Sequence, residues 1–288
     1  MTGQLTGKVS FVAGASRGIG ATVAAALARE GAAVAVAARS ESEGRVPGTI
    51  HAVAERIVAA GGQARAVRCD VTDEASVDAA VAETVAEFGG IDILIANAGV
   101  LWLGPIESTP LKRWQLCLNV NLTGTFLVTK AVIPHVRARG GGSMVAITTT
   151  GVTMEGANAY WVSKAGVERL YVGLAADLKR DNIAVNCLSP SRVVLTEGWL
   201  AGGGGQEIPP EMVEPPEAMA DAAVLLARQD ASGITGTIQR SRRHSSASSR
   251  SKSVVRRSEA MRSDLSLPTG KAAAHTSVAP ASMSPCSC

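Results

Sequence analysis

Lys8-Val9-Ser10-Phe11-Val12-Ala13-Gly14-Ala15-Ser16-Arg17-Gly18-Ile19-Gly20 is the stretch on which the fold turns. Its first six residues form an apolar-rich run of strand character, its middle is a glycine turn, and the alanine-rich residues 21–30 read as a helix. Glycine adopts torsions closed to other residues and lets backbone approach a ligand, and a helix N-terminus offers unpaired N–H groups and a positive dipole. Strand, glycine turn and helix in this order suit a pyrophosphate, held by Gly14, Ser16, Arg17, Gly18, Ile19 and Gly20. A tight connection alone is the competing reading. The spacing is G-x-x-x-G-x-G, so it is not the G-x-G-x-x-G fingerprint, and without Gly-Lys-Ser/Thr it is not a P-loop.

Residues 33–38 read as a second strand ending in Ala38-Arg39-Ser40. An acidic residue at such a strand end accepts from a ribose 2'-hydroxyl, whereas arginine pairs with a 2'-phosphate. Arg39, with a second guanidinium at Arg17, favours NADP(H) over NAD(H). Two solvated arginines are the other reading. An irregular insertion, 41–48, precedes a helix over 49–60. A strand over 64–68 leads to Cys69-Asp70-Val71, a helix follows over 73–88, and a strand over 91–95 runs into Ala96-Asn97-Ala98-Gly99. This alternation predicts an α/β fold with a doubly wound parallel sheet. Gly14, Arg39, Asp70 and Asn97 all fall at strand carboxyl ends, where such sheets bind ligands.

Thr109-Pro110 reads as an N-cap and first helical residue, opening one long helix towards His135. Asparagine is unfavourable inside a helix, so Asn119 or Asn121 there implies a polar task. A strand over 143–147 ends in Thr148-Thr149-Thr150-Gly151, and Tyr160-Trp161-Val162-Ser163-Lys164 follows in a helix. Positions i and i+4 share a helix face, and an ammonium beside a phenol lowers the phenol pKa. A sixth strand over 183–188 leads to Pro190-Ser191 and a loop through Gly202 to Gly205, a hinge for a lid. Pro215-Pro216 opens a last helix, and 234–239 is a seventh strand.

Apolar residues are 46% of the 288-residue chain but aromatics only 3%, so the core is built of Ala, Val, Leu and Ile. No uninterrupted run of about 18 apolar residues is present. The reading is a soluble, cytoplasmic protein with no membrane partner. The five cysteines and four histidines lack ligand-like spacing, so reduced thiols and no metal are expected. The net charge of +3 is uneven: from Arg240 onward nine Lys and Arg stand against two acids, giving +7 there and −4 in the remaining chain. The body is therefore not a basic nucleic-acid-binding domain. Residues 240–288 hold 14 serines and no aromatic residue, which reads as a disordered tail. A basic interaction tail, or an ending shifted in reading frame, are the two accounts of it.

Residues 5–239 resemble the classical short-chain dehydrogenase/reductase family. The resemblance rests on GASRGIG at 14–20, DV at 70–71, NAG at 97–99, NxxG at 121–124, YxxxK at 160–164 and the segment from Asn186 to Pro190. It implies a single three-layer Rossmann domain, residues 1–239, with about seven parallel strands, assembled as a homodimer or homotetramer. It implies Tyr160 as catalytic acid/base and Lys164 as the residue that lowers its pKa and holds the nicotinamide ribose. Asn121 would anchor a water in the proton relay, Asp70 and Val71 would touch the adenine, and Asn97, with Ala98 and Gly99, would steady the central strand. Pro190 and Thr196 would lie near the nicotinamide or pyrophosphate.

Three departures stand out. Ala96 replaces the first of two usual asparagines, Ser191 follows Pro190 where glycine is usual, and threonine replaces the substrate-orienting serine. Counting from the strand gives Thr149; counting back from Tyr160 falls closer to Thr148. The implied reaction is hydride transfer between NADP(H) and a carbonyl or secondary alcohol, with Thr149 and Tyr160 on the oxygen. Trp102, Met154, Trp161 and Trp199 suggest an apolar ketone or alcohol. The alternative is a cofactor-binding relative with weak or no catalysis.

Overall fold

Seven parallel strands form one sheet, in the order β3-β2-β1-β4-β5-β6-β7, in the computed structural model of the chain, which describes residues 3–201 and 208–241. The strands are β1 (Val9–Ala13), β2 (Ala33–Ala38), β3 (Gln63–Arg68), β4 (Ile93–Ala96), β5 (Gly142–Ile147), β6 (Ile183–Ser189) and β7 (Ile238–Arg240). Between them run α1 (Gly18–Arg29), α2 (Ile50–Ala59), α3 (Glu74–Phe88), α4 (Leu111–Cys117), α5 (Gly124–Ala138), α6 (Ala159–Asp177), α7 (Glu197–Ala201) and α8 (Pro216–Ala227). This is the three-layer Rossmann arrangement expected from the strand and helix alternation. The described residues lie within the unit Met1–Ser246. The Gly202–Gly205 hinge and the tail beyond Ser241 lie outside the described residues.

Side chains of a strand alternate between its two faces, and both faces of the central strands are covered, so β1, β2 and β4 are buried, mostly apolar runs, while the edge strands β3 and β7 keep exposed positions. Val12, Val34, Val36, Ile93 and Ile95 pack on one face with α1, α2 and α8. Phe11, Leu94, Met144, Val185 and Cys187 pack on the other with α3, α5 and α6. Strand order reverses beside β1, so the ends of β1 and β4 open the crevice where ligands bind in such sheets.

Local chemistry sets several helix ends. Thr49 accepts from Ala52 N, Asp73 from Ala75 N and Asn158 from Trp161 N. The long helix expected from Thr109 and Pro110 towards His135 forms as one helical run, Leu111–Ala138, which begins one residue later and carries a π-helical stretch. Pro110 occupies the N-cap, the Thr109 hydroxyl donates to the Pro105 carbonyl at 2.7 Å, and a π-helical stretch, Leu118–Thr123, separates α4 from α5. The helical run Leu111–Ala138 is long and apolar enough to cross a membrane by length and composition; Val120, Val128, Val132 and Val136 bury one face of it against the sheet. The last strand is shorter than expected and shifted towards the C-terminus. Gly236 turns with φ +71°, Asn186 Nδ2 holds the Ile234 carbonyl at 2.7 Å, and only Ile238–Arg240 pair with β6.

Candidate active site

The glycine turn links β1 to α1. Gly14 and Gly18 have φ of +82° and +57°, torsions that favour glycine. A Cβ on Gly14 would stand 2.6 Å from the Ala98 backbone, and one on Gly20 would run into the Gly14 carbonyl oxygen and Asn97 Nδ2. Two of these glycines are thus required by the protein's own packing. They let Asn97-Ala98-Gly99 lie against the turn, where Asn97 Nδ2 donates to Gly14 O at 2.8 Å. Arg17, the N-cap of α1, makes no side-chain capping bond, so the first-turn N–H groups at Gly18, Ile19 and Gly20 have no side-chain acceptor. That leaves a cradle suited to an anion.

Arg17 instead straps the 41–48 insertion to the turn. Its Nε donates to Pro47 O at 2.7 Å, and its Nη2 to Gly48 O at 2.8 Å and Ser40 Oγ at 3.0 Å. Gly48, at φ +109°, lies so close to the buried Ser16 that a Cβ would stand 2.6 Å from its carbonyl oxygen. Arg39 is exposed and lies 3.8 Å from Asp70. Burial works against the Asp70 carboxylate, but hydrogen bonds from the Thr72 N–H and hydroxyl, with Arg39 and Arg68, hold its pKa below the usual value. Val71 is buried against Gly124. At the far side of the cradle, the Thr196 side chain would meet a Cβ on Gly18 at 3.2 Å, and its hydroxyl accepts from Trp199 N.

The second cluster joins the ends of β4 and β5 to α6. Lys164, buried, donates from Nζ to Ile147 O at 2.7 Å. Tyr160 lies on the same face of α6, half-buried, with Nζ 5.9 Å from its ring centroid. Asn121, in the π-helical stretch, is fully buried. Its Oδ1 accepts from Val100 N at 2.8 Å; its Nδ2 donates to Val100 O at 3.0 Å and to Ser163 Oγ at 2.9 Å. The Ser163 hydroxyl in turn reaches Tyr160 O at 2.6 Å. Gly99 admits this meeting: a Cβ there would stand 3.3 Å from Asn121 Oδ1 and 3.7 Å from Lys164 Nζ.

A cradle suited to an anion therefore lies across the β1/β4 crevice from a half-buried tyrosine and a buried lysine and asparagine, and residues 8–199 match the family model for short chain dehydrogenases. The chain belongs to the short-chain dehydrogenase/reductase family. It is 40% identical over 242 residues to the D-threitol dehydrogenase of Mycolicibacterium smegmatis, covering 81% of this chain and 90% of that protein. It is 37% identical over 231 residues to the hydroxysteroid dehydrogenase-like protein 2 of Bos taurus, covering 78% of this chain but only 54% of that protein, so it spans about half the length of that relative. A Beutenbergia cavernae structure, described as an NAD(P) dependent gluconate 5-dehydrogenase with bound NADP at low occupancy, aligns with a TM-score of 0.73 at 31% identity over 82% of this chain and 96% of that one. Members of the family are NAD(P)-dependent oxidoreductases of CH–OH and C=O groups.

In this short-chain dehydrogenase/reductase the two threonines after β5 differ in kind. Thr149 is half-exposed, and its Oγ1 accepts from Gly151 N at 3.2 Å. Thr148 is 2% exposed on the α6 side, turned towards the Glu168 carboxyl, which it helps hold down without reaching hydrogen-bond geometry.

Burial dominates the electrostatics of the cluster. Burial, then the nearby Cys117 thiol, pushes the Tyr160 phenol up to about 12. Burial lowers Lys164 to about 8, against the opposing pull of Cys187 and Glu168, and its ammonium donates to Ile147 O. The protein alone keeps Tyr160 protonated near neutral pH. The Asn121 side-chain amide is spent on Val100 and Ser163, and its carbonyl oxygen, which accepts from Thr125 Oγ1 at 2.7 Å, is the atom with a second lone pair to offer.

The structure adds residues that the sequence did not single out: Ser163, Glu168, and the Arg17 strap. Ser163 lies inside the YxxxK segment at i+3 from Tyr160, a spacing typical of hydroxyl back-bonding to a helix carbonyl. The expected apolar residues are dispersed. Trp161 packs against Gly151, Met154 is 60% exposed, Trp102 lies under the Arg113 guanidinium at 5.0 Å, and Trp199 lies within α7.

Proposed function

We propose that this enzyme transfers a hydride between NADP(H) and a carbonyl or secondary alcohol carbon, with Tyr160 as proton donor and acceptor. The observation that carries the reading is the convergence of Lys164, Asn121 and Tyr160 beside Gly99 and Ile147, at the carboxyl ends of β4 and β5. The nicotinamide, when bound, supplies or takes the hydride. Gly14, Ser16, Gly18, Ile19 and Gly20 would hold the pyrophosphate at the α1 N-terminus, where the uncapped first turn and close-packed glycines fit it. Asp70 and Val71 would border the adenine, and Pro190 and Thr196 the nicotinamide end.

In reduction, Thr149 and Tyr160 would hydrogen-bond the substrate oxygen, and the Tyr160 O–H would give its proton to that oxygen as the C–H bond forms. Lys164 would position the ribose, and the Asn121 carbonyl would anchor the onward proton path. Arg17 and Arg39, on either side of Ser40, support a 2'-phosphate and so NADP(H). Leu103, Met154, Leu195 and Leu200, exposed on the loops after β4, β5 and β6, support an apolar ketone or alcohol. Exposed Phe126, Val162 and Val172 on α5 and α6 support assembly with further copies, as a homodimer or homotetramer in the cytoplasm.

Absorbance at the NADPH band over a panel of ketones tests the reading, with NADH in parallel. NADPH is expected to be favoured, and Tyr160→Phe to lower kcat by roughly 10²- to 10⁴-fold, the usual worth of a general acid. A Tyr160→Phe variant as active as the parent refutes the mechanism. Equal turnover with NADH refutes the cofactor choice.

A further inference from the structure

Three segments far apart in sequence converge on one carboxyl group. Glu214, just before α8, is 1% exposed. Its Oε1 accepts from Ser191 N at 3.0 Å and from the Ser241 hydroxyl at 2.7 Å. Ser241, itself buried directly after β7, also takes the Ser191 N–H at 2.9 Å, and the two serine hydroxyls lie 3.1 Å apart. Backbone bonds from Val193 N to Met212 O and from Glu214 N to Val193 O, both 2.9 Å, extend the knot into a short parallel bridge between Val193 and Val213.

The loop held in this way leaves β6 at Ser189 and carries Pro190 and Thr196. Its far end rests on the glycine turn, through Thr196 against Gly18. We propose that Glu214 is a positioning residue for the reaction: through Ser191 and Ser241 it fixes the loop that closes over the nicotinamide end of the cofactor. The proposal rests on the hydride-transfer reading above. It also accounts for Ser191 at the position where glycine is usual, since the Ser191 side chain faces Ser241. Ser241 extends the working part of the chain past the end of the family-like segment.

A carboxyl that only stabilised the fold would lower the melting temperature and leave cofactor binding alone. A positioning carboxyl moves cofactor affinity more than the chemical step. The test uses the full chain with Glu214→Ala, Glu214→Gln and Ser241→Ala, reading NADPH Kd by fluorescence titration, KM and kcat with the best ketone, and Tm. Glu214→Ala removes the acceptor shared by the Ser191 N–H and the Ser241 hydroxyl and leaves them each other, a loss of about one hydrogen bond, which at about 1.4 kcal/mol per decade corresponds to roughly a tenfold rise in Kd and KM for NADPH. The kcat is expected to stay within about threefold, because Glu214 touches no reacting atom. Glu214→Gln, whose amide oxygen still accepts, returns Kd to within about threefold of the parent, and Ser241→Ala falls between.

A folded Glu214→Ala with unchanged NADPH Kd overturns the proposal, as does a loss confined to kcat. Where Glu214→Ala fails to fold, Ser241→Ala decides: an unchanged Kd is again fatal. A parent that neither binds nor turns over NADP(H) refutes the underlying functional reading instead.

Discussion

Replacing Lys164 with methionine should remove activity and yet stabilise the unliganded protein at neutral pH. Burial holds the Lys164 ammonium down to about 8, against about 10.4 in an unfolded chain. Below pH 8 both states are protonated, and the folded state bears the whole cost of burying the charge. At about 1.4 kcal/mol per pKa unit, that cost is about 3 kcal/mol. Methionine has a similar unbranched shape and no charge to desolvate, but it gives up the hydrogen bond to Ile147 O, worth about 1 kcal/mol. The net gain at pH 7 is about 2 kcal/mol, or roughly 4–8 °C in Tm for a domain of this size.

As pH rises from 8 towards 10.5, folded Lys164 sheds its proton while the unfolded chain keeps it, so the parent gains stability on the variant by about 1.4 kcal/mol per pH unit. The advantage of methionine should vanish within that window and reverse by about 1 kcal/mol above it, where only the lost hydrogen bond remains. Glu168, one helical turn on, is raised by burial and is lowered by Lys164, so its own titration adds a lower-pH component to the difference. Calorimetry of parent and variant from pH 6 to 10.5 gives both curves. A variant less stable at pH 7, or a gap that does not change between pH 8 and 10.5, would show that burial does not dominate Lys164.

Two further outcomes follow from the site. Gly20→Ala forces a Cβ into the Gly14 carbonyl, so the turn must shift; overpacking of this kind costs about 1–3 kcal/mol, and NADPH Kd should rise at least about tenfold in a fluorescence titration. Thr149→Ala should lower kcat by about 10²-fold, the scale for one lost oxyanion donor, while Thr148→Val, altering a hydroxyl turned towards Glu168, should stay within about threefold. Steady-state kinetics with the same ketone separates the two, and the reverse ranking would assign the role to Thr148.

How much of the site could be read depended on the range of the interaction involved. The glycine turn, the ends of β2 and β3 and the pairing of Tyr160 with Lys164 are local patterns, and they fold where their spacing puts them. The long helix after Pro110 was legible from its periodicity, but the π-helical stretch within it was not, because helical periodicity is the same on both sides of such a turn; there Asn121 reaches Val100 and Ser163 at once. The 41–48 insertion carried no periodic signal, since its order comes from the Arg17 guanidinium gathering three oxygens about it.

The sequence by itself determined the class of the protein: apolar runs of strand length alternating with helices, glycines at the first turn and polar residues at strand ends require a doubly wound sheet with its ligands on the carboxyl edge. Tertiary structure decided the burial and hydrogen-bond partners of the groups at that edge. The desolvation of Tyr160 and Lys164, the partners of Asn121 and the way the loop after β6 is held all depend on contacts between segments distant in the chain. The Glu214 knot joins Ser191 to Ser241 across 50 residues. Desolvation and hydrogen bonding act through space, so residue spacing names the participants while the packed fold sets their energies.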